Sequence, residues 1–138
     1  MPASDYLDQQ VLGHLLRSAT WTKPAGIFLG LLTALPTDQG GLVEVAAADY
    51  ARLAVGPADA LWLPRETDGA HVNAQALIWP EPENDWGTLT GTGLFNAATG
   101  GNLLPWAALA APKTVLAGGP AVLFRPGDLV FTMKVLDG

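Results

Sequence analysis

The sequence predicts an all-β fold: about eight antiparallel strands in a jelly-roll-like β-sandwich, preceded by one N-terminal α-helix. Three observations carry this reading. Helical periodicity occurs only ahead of Pro24. From Gly26 onward, apolar runs of roughly four to eight residues alternate with clusters of Gly, Pro, Asp and Asn. These turn signals recur about every 8–15 residues, which is the rhythm of a sandwich or barrel.

The helix is expected over residues 4–18. Ser4 can cap it, because its hydroxyl accepts from a first-turn amide that has no partner within the helix. Asp5 and Asp8 place negative charge where the helix dipole favours it. Leu7, Val11, Leu12, Leu15 and Leu16 recur at helical spacing, and Pro24 blocks continuation. The face bearing Leu7, Val11 and Leu15 is expected to be buried, against the sandwich or a neighbour.

Strands are expected over 27–33, 49–55, 74–79, 87–95, 103–109, 114–117, 121–124 and 129–135. Gly91 and Gly93 interrupt the fourth. In the last, Leu129, Phe131, Met133 and Val135 alternate with Val130, Thr132 and Lys134, the period of a half-buried strand. Prolines fall at turns, and neither a linker nor a repeat breaks the pattern. Residues 1–138 are therefore expected to form a single domain, with the helix over 4–18 and the sandwich over 26–136.

Composition narrows the function. The 138 residues include no Cys, which removes disulfides, thiolate nucleophiles and cysteine-ligated metals. Thirteen acidic against seven basic residues give a net charge of −6, the wrong sign for a nucleic-acid binder. No apolar run approaches the roughly 20 residues of a membrane span. The acidic opening does not look like a signal peptide, so the chain is expected to be soluble and made in the cytoplasm, with no membrane partner. Only 14% of residues are charged, against about 25% in an average protein. Mean hydropathy is +0.25. Either the core is large or part of the surface is apolar and meant to be covered.

Catalytic patterns are thin. His14 and His71 are the only histidines, and no G-x-S-x-G elbow accompanies them. The run Glu81-Pro82-Glu83-Asn84-Asp85 offers carboxylates to Ca²⁺ or to glycoside hydrolysis, but it lacks the spacing of a calcium loop and reads as a solvated turn. Gly91-Thr92-Gly93 opens no helix and precedes no G-K-[ST], so it cradles no phosphate. Gly100 and Gly101 are expected to supply positive φ in a hairpin loop over 96–102. No metal, cofactor or catalytic residue is expected.

Five tryptophans, Trp21, Trp62, Trp79, Trp86 and Trp106, are many for this length. Packing, protein interfaces and sugar-stacking platforms all use tryptophan. Trp62 and Trp106 are candidate packing anchors. Trp79 and Trp86 flank the acidic run and are the candidates for a carbohydrate platform. The residues expected at an interface or in packing are Leu7, Val11, Leu15, Trp62, Trp79, Trp86 and Trp106.

Longer stretches carry a resemblance. Trp86-Gly87-Thr88-Leu89-Thr90 and then Gly93-Leu94-Phe95-Asn96-Ala97-Ala98-Thr99-Gly100-Gly101-Asn102-Leu103-Leu104 resemble a family of small tailed-bacteriophage virion proteins commonly labelled phage tail fibre proteins. Similar pieces occur in order elsewhere. Among them are Ser4-Asp5-Tyr6-Leu7, Ile27-Phe28-Leu29-Gly30-Leu31, Tyr50-Ala51-Arg52-Leu53-Ala54-Val55 and Trp106-Ala107-Ala108-Leu109. Asn96 stands where the family often has Asp, and 134–138 extends past the family's usual end. The resemblance implies a non-enzymatic virion component that assembles through protein–protein contacts. Its implied partners are the major capsid protein or neck and tail proteins, and further copies of itself. The alternative placement is a capsid decoration or cement protein. More remote alternatives are a carbohydrate-binding module that contacts a host glycan, and a hydrolase using Glu81, Glu83 or Asp85.

Overall fold

The computed structural model describes residues 4–36 and 41–132. Helix α1 spans Asp5–Leu16. The Ser4 hydroxyl accepts from the Leu7 amide at 3.1 Å and donates to the Leu103 carbonyl. The cap thus satisfies one of the helix's orphan first-turn amides and ties the helix to the sheet at once. The helix stops two residues short of its expected end, because Arg17 is already extended while its amide closes the last turn on Gly13.

Among the described residues ten strands follow: β1 (Ile27–Ala34), β2 (Val43–Glu44), β3 (Leu53–Gly56), β4 (Trp62–Pro64), β5 (His71–Asn73), β6 (Leu77–Ile78), β7 (Gly87–Phe95), β8 (Leu103–Val115), β9 (Leu123–Phe124) and β10 (Val130–Phe131). All pairings are antiparallel. The main sheet runs β2-β1-β7-β8, and β3 shares the far edge of β1 with β2. A three-stranded sheet, β10-β5-β4, and the pair β6-β9 complete the fold. It is mostly β with one N-terminal helix, as the sequence predicts.

Several boundaries differ. The expected strand 49–55 begins only at Leu53, because Asp49 and Tyr50 turn aside to make side-chain bonds described below. The stretch 74–79 pairs only at Leu77–Ile78, and 121–124 only at Leu123–Phe124. β4 and β5 lie between the expected strands 49–55 and 74–79, where the sequence predicts no strand. Their hairpin is held by Arg65, whose amide donates to Ala70 and whose guanidinium pairs with Asp68. The runs 103–109 and 114–117 are one strand. The three residues of β7 from Leu89 to Gly91 face six of β8, from Lys113 back to Ala108. The resulting bulge carries β8 past Pro112, which an edge strand tolerates. In the last expected strand only Val130–Phe131 pairs, and Met133 to Val135 lie outside the described residues.

One core joins the layers. Leu29 and Leu31 of β1, Leu89 of β7 and Val115 of β8 pack in one cluster with Leu77, Phe124 and Phe131 from the smaller sheets and with Val122 just ahead of β9. Leu31 and Leu32 are both fully buried, so β1 is covered on both faces. This explains its unbroken apolar run. Gly30 has no room for a side chain. A Cβ there would lie 2.8 Å from both the Glu44 carboxylate and the Phe95 ring.

Candidate functional site

A charged hub stands beside Gly30. Arg52 grips Glu44 with two parallel bonds, Nε to Oε2 and Nη2 to Oε1, each 2.8 Å. Its Nη1 donates to the carbonyls of Ala97 at 2.7 Å and Gly100 at 2.8 Å. The guanidinium lies 3.6 Å from the centre of the Phe95 ring, and the side chain is only 6% exposed. Tyr50 donates to Glu44 at 2.6 Å and accepts from the Leu31 amide at 2.9 Å. Burial pushes the Glu44 carboxyl up, but the hydrogen bonds from Arg52 and Tyr50, with the charge of Arg52, outweigh it and hold the pKa below the ordinary value. Burial, and then the bond to Glu44, raise the Tyr50 phenol far above its ordinary range. Glu44 therefore stays ionised and Tyr50 stays protonated. Neither is poised to move a proton at neutral pH, and the cluster acts as a brace.

The brace holds the hairpin loop 96–102. The Asn96 amide donates to the Asn102 carbonyl at 3.2 Å, and the Asn102 amide donates to Asn96 Oδ1 at 2.8 Å. Gly100 and Gly101 have φ of +62° and +70°. Gly101 also packs tightly, since a Cβ there would lie 2.6 Å from Asn96 Oδ1 and 2.8 Å from the Ala97 Cβ.

The acidic run is a folded loop. Asp49 accepts from the Glu83 amide at 2.6 Å, Asn84 Nδ2 at 3.0 Å and Trp86 Nε1 at 3.1 Å. The Glu83 amide, then Asn84, lower its pKa to about 2. Asp85 accepts from the Ala117 amide at 2.8 Å. Glu81 and Glu83 are exposed. Among the described residues no group of three or more His, Asp or Glu side chains could hold a metal ion. His14 accepts from the Trp21 amide at 3.3 Å, and His71 lies on β5 between Pro64 and Phe131.

The tryptophans divide by exposure. Trp79 and Trp86 are 2% and 4% exposed. Trp79 donates to the Ala51 carbonyl and meets Phe124 edge-on at 6.0 Å, while Trp86 meets Tyr50 edge-on at 5.5 Å. Neither can stack on a sugar, which corrects the expectation of a carbohydrate platform at these two positions. Trp62 is half-buried, donates to the Val55 carbonyl at 2.8 Å and packs edge-on against Phe131. Trp106 is half-buried on β8, opposite Gly93.

The apolar surplus lies partly outside. Leu7 is buried and Val11 half-buried against the core, but Leu15 is 69% exposed. Leu12 and Leu16 are exposed beside it. The helix therefore lies on β8 with its first half and carries a leucine-bearing end clear of its own sandwich. Ile78 and Leu123, cross-strand partners, form a second exposed apolar pair. A pocket of about 410 Å³ opens between the two layers, walled by Ile27, Leu94, Leu104 and Pro105 on one side and by Trp62 and Phe131 on the other.

The residues missed by sequence reasoning are Glu44, Asp49, Tyr50 and Arg52, together with the buried Asn73. Asn73 Nδ2 donates to the Gln75 and Arg125 carbonyls, and Oδ1 accepts from the Leu129 amide, all at 2.9 Å. Lone charges inside apolar stretches of a charge-poor chain were the available signal. No helix among the described residues is long and apolar enough to cross a membrane.

No curated protein matches the chain. The family profile described as Podophage GP4 fiber I protein gp80 matches residues 2–132, nearly the whole length. On this match over nearly the whole chain, and with a mostly β fold behind one N-terminal helix, the chain belongs to the Podophage GP4 fiber I protein gp80 family of phage fibre proteins.

Proposed function

We propose that the chain is a non-enzymatic structural subunit of a phage tail fibre, acting as one domain that assembles by burying apolar surface against other virion proteins. The observation that carries this is the exposed leucine-bearing end of α1. Leu12, Leu15 and Leu16 sit on a helix anchored at Ser4, so they present a preformed apolar face. Such a face is costly to leave in water and is the usual mark of a protein–protein contact. The absence of a proton-transfer pair in the Glu44–Tyr50–Arg52 cluster supports a structural reading.

Gold-labelled antibody imaging of intact phage tests the placement. Label confined to the tail supports the fibre assignment. Label scattered over the head overturns it, and reassigns the same leucines to clamping capsid subunits.

A further inference from the structure

The leucine-bearing end of α1 and the pocket between the layers are complementary, and they lie on the same chain. The pocket is apolar and walled by both sheets. The helix begins beside it, since the Ser4 amide donates to the carbonyl of Leu104, a pocket residue. The helix then carries Leu12, Leu15 and Leu16 roughly 12–18 Å along its axis. Their exposure shows that they do not fill the pocket of their own chain.

Charge favours the same match. The helix end is basic, with exposed Arg17 and, beyond it, exposed Lys23. Beside the mutually neutralising Arg65–Asp68 pair, the surroundings of the pocket carry net negative charge. Gly69 and His71 line it, and the same turn carries exposed Glu66. Exposed Asp59 lines an adjoining hollow that shares Pro57, Trp62 and His71 with it. An amphipathic helix seated in an apolar groove with opposite charges at its rim is a recurring recognition mode.

We propose that the end of α1 bearing Leu12, Leu15 and Leu16 seats in the Trp62–Phe131 pocket of a second copy of this chain, with Arg17 and Lys23 facing Asp59 and Glu66. The contact is heterologous, joining two different patches, so it builds a ring or a linear stack. It rests on the assembly reading above and specifies its partner.

Sedimentation of the full chain tests it. The wild type is expected to self-associate. Leu15→Asp, an exposed position that folding does not need, is expected to weaken association by at least about tenfold, since a leucine loses its apolar burial. Asp59→Lys with Glu66→Lys is expected to weaken it by about tenfold at low salt, and Arg17→Glu with Lys23→Glu mixed with that variant to restore it. The chain has no Cys, so single Leu15→Cys and Asp59→Cys chains, mixed with a short bismaleimide, are expected to give a mixed dimer. A monomeric wild type overturns the proposal and assigns the leucines to a different virion protein. Association unchanged by Leu15→Asp, or no mixed cross-link, also overturns it. Each of these failures leaves tail labelling of the phage, and so the fibre assignment, untouched.

Discussion

Replacing Arg52 by Ala removes a bidentate partner from Glu44, two donors from the 96–102 loop and a cation from the face of Phe95. Breaking a buried pair by removing one partner costs about 3–5 kcal/mol. Here the lower end applies, because the Glu44 side chain is 23% exposed and keeps the bond from Tyr50. A loss of about 3 kcal/mol lowers the Tm of a domain this size by on the order of 10 °C. Urea unfolding followed by tryptophan fluorescence, with Glu44→Gln and the double variant, measures it. The two single losses should sum to about 1–2 kcal/mol more than the double loss, as for residues in one network. The pH dependence is the sharper test. In the wild type the folded-state pKa of Glu44 is depressed, so its contribution is present above the ordinary value of 4.5 and is lost as pH falls through the folded pKa. Without Arg52, burial is left as the largest influence and the sign reverses, so Arg52→Ala should gain stability from this group as pH falls from 7 toward 4.5. A loss under about 1 kcal/mol, additive with Glu44→Gln and unchanged in pH slope, would refute the brace.

The hairpin glycines should differ from one another. Gly100→Val meets open space and suffers only from its positive φ, about 1 kcal/mol, whereas Gly101→Val adds a clash with Asn96 and Ala97 and should cost about 3 kcal/mol; equal Tm losses would sink the distinction. Asp49→Asn should flatten the acid limb of stability. Asp49 has a folded pKa of about 2 against 3.8 ordinarily, so its contribution is intact above about pH 4 and fades as pH falls through 2, a decline that acid titration by circular dichroism should find in the wild type and not in the variant. Asn73→Ala leaves two carbonyls and one amide without their side-chain partner in a site only 1% exposed, and chemical denaturation should register about 3 kcal/mol.

The parts of the fold that were legible in the sequence are those governed by local rules. Ser4 announced the helix because capping is decided within one turn. Leu129 and Phe131 announced a strand by their alternation, and Gly100-Gly101 announced a backbone that only glycine adopts easily. The parts that were hidden depend on partners distant in the chain. Val43–Glu44 is too short for periodicity and pairs because β1 offers it an edge at Leu32 and Ala34. Pro112 reads as a break, and becomes compatible with a strand only because β8 is an edge with a bulge. Arg52 looks like an ordinary surface cation until Glu44, Phe95 and the Ala97 carbonyl are brought around it. The fate of Leu15 was equally hidden, since an amphipathic stripe says that a face will be covered and leaves open by what.

β8 has a second consequence, for the life of the chain before assembly. Virion proteins accumulate at high concentration in the infected cell, where a long bare sheet edge invites runaway strand addition. Along β8 the two prolines Pro105 and Pro112 each subtract a backbone donor, and the bulge between Ala108 and Lys113 throws the edge out of register with any straight strand laid beside it. Unlimited backbone zippering is thereby discouraged along β8, the longest strand among the described residues. Any contact made along this edge must then be through shaped side-chain surfaces rather than through continued backbone pairing.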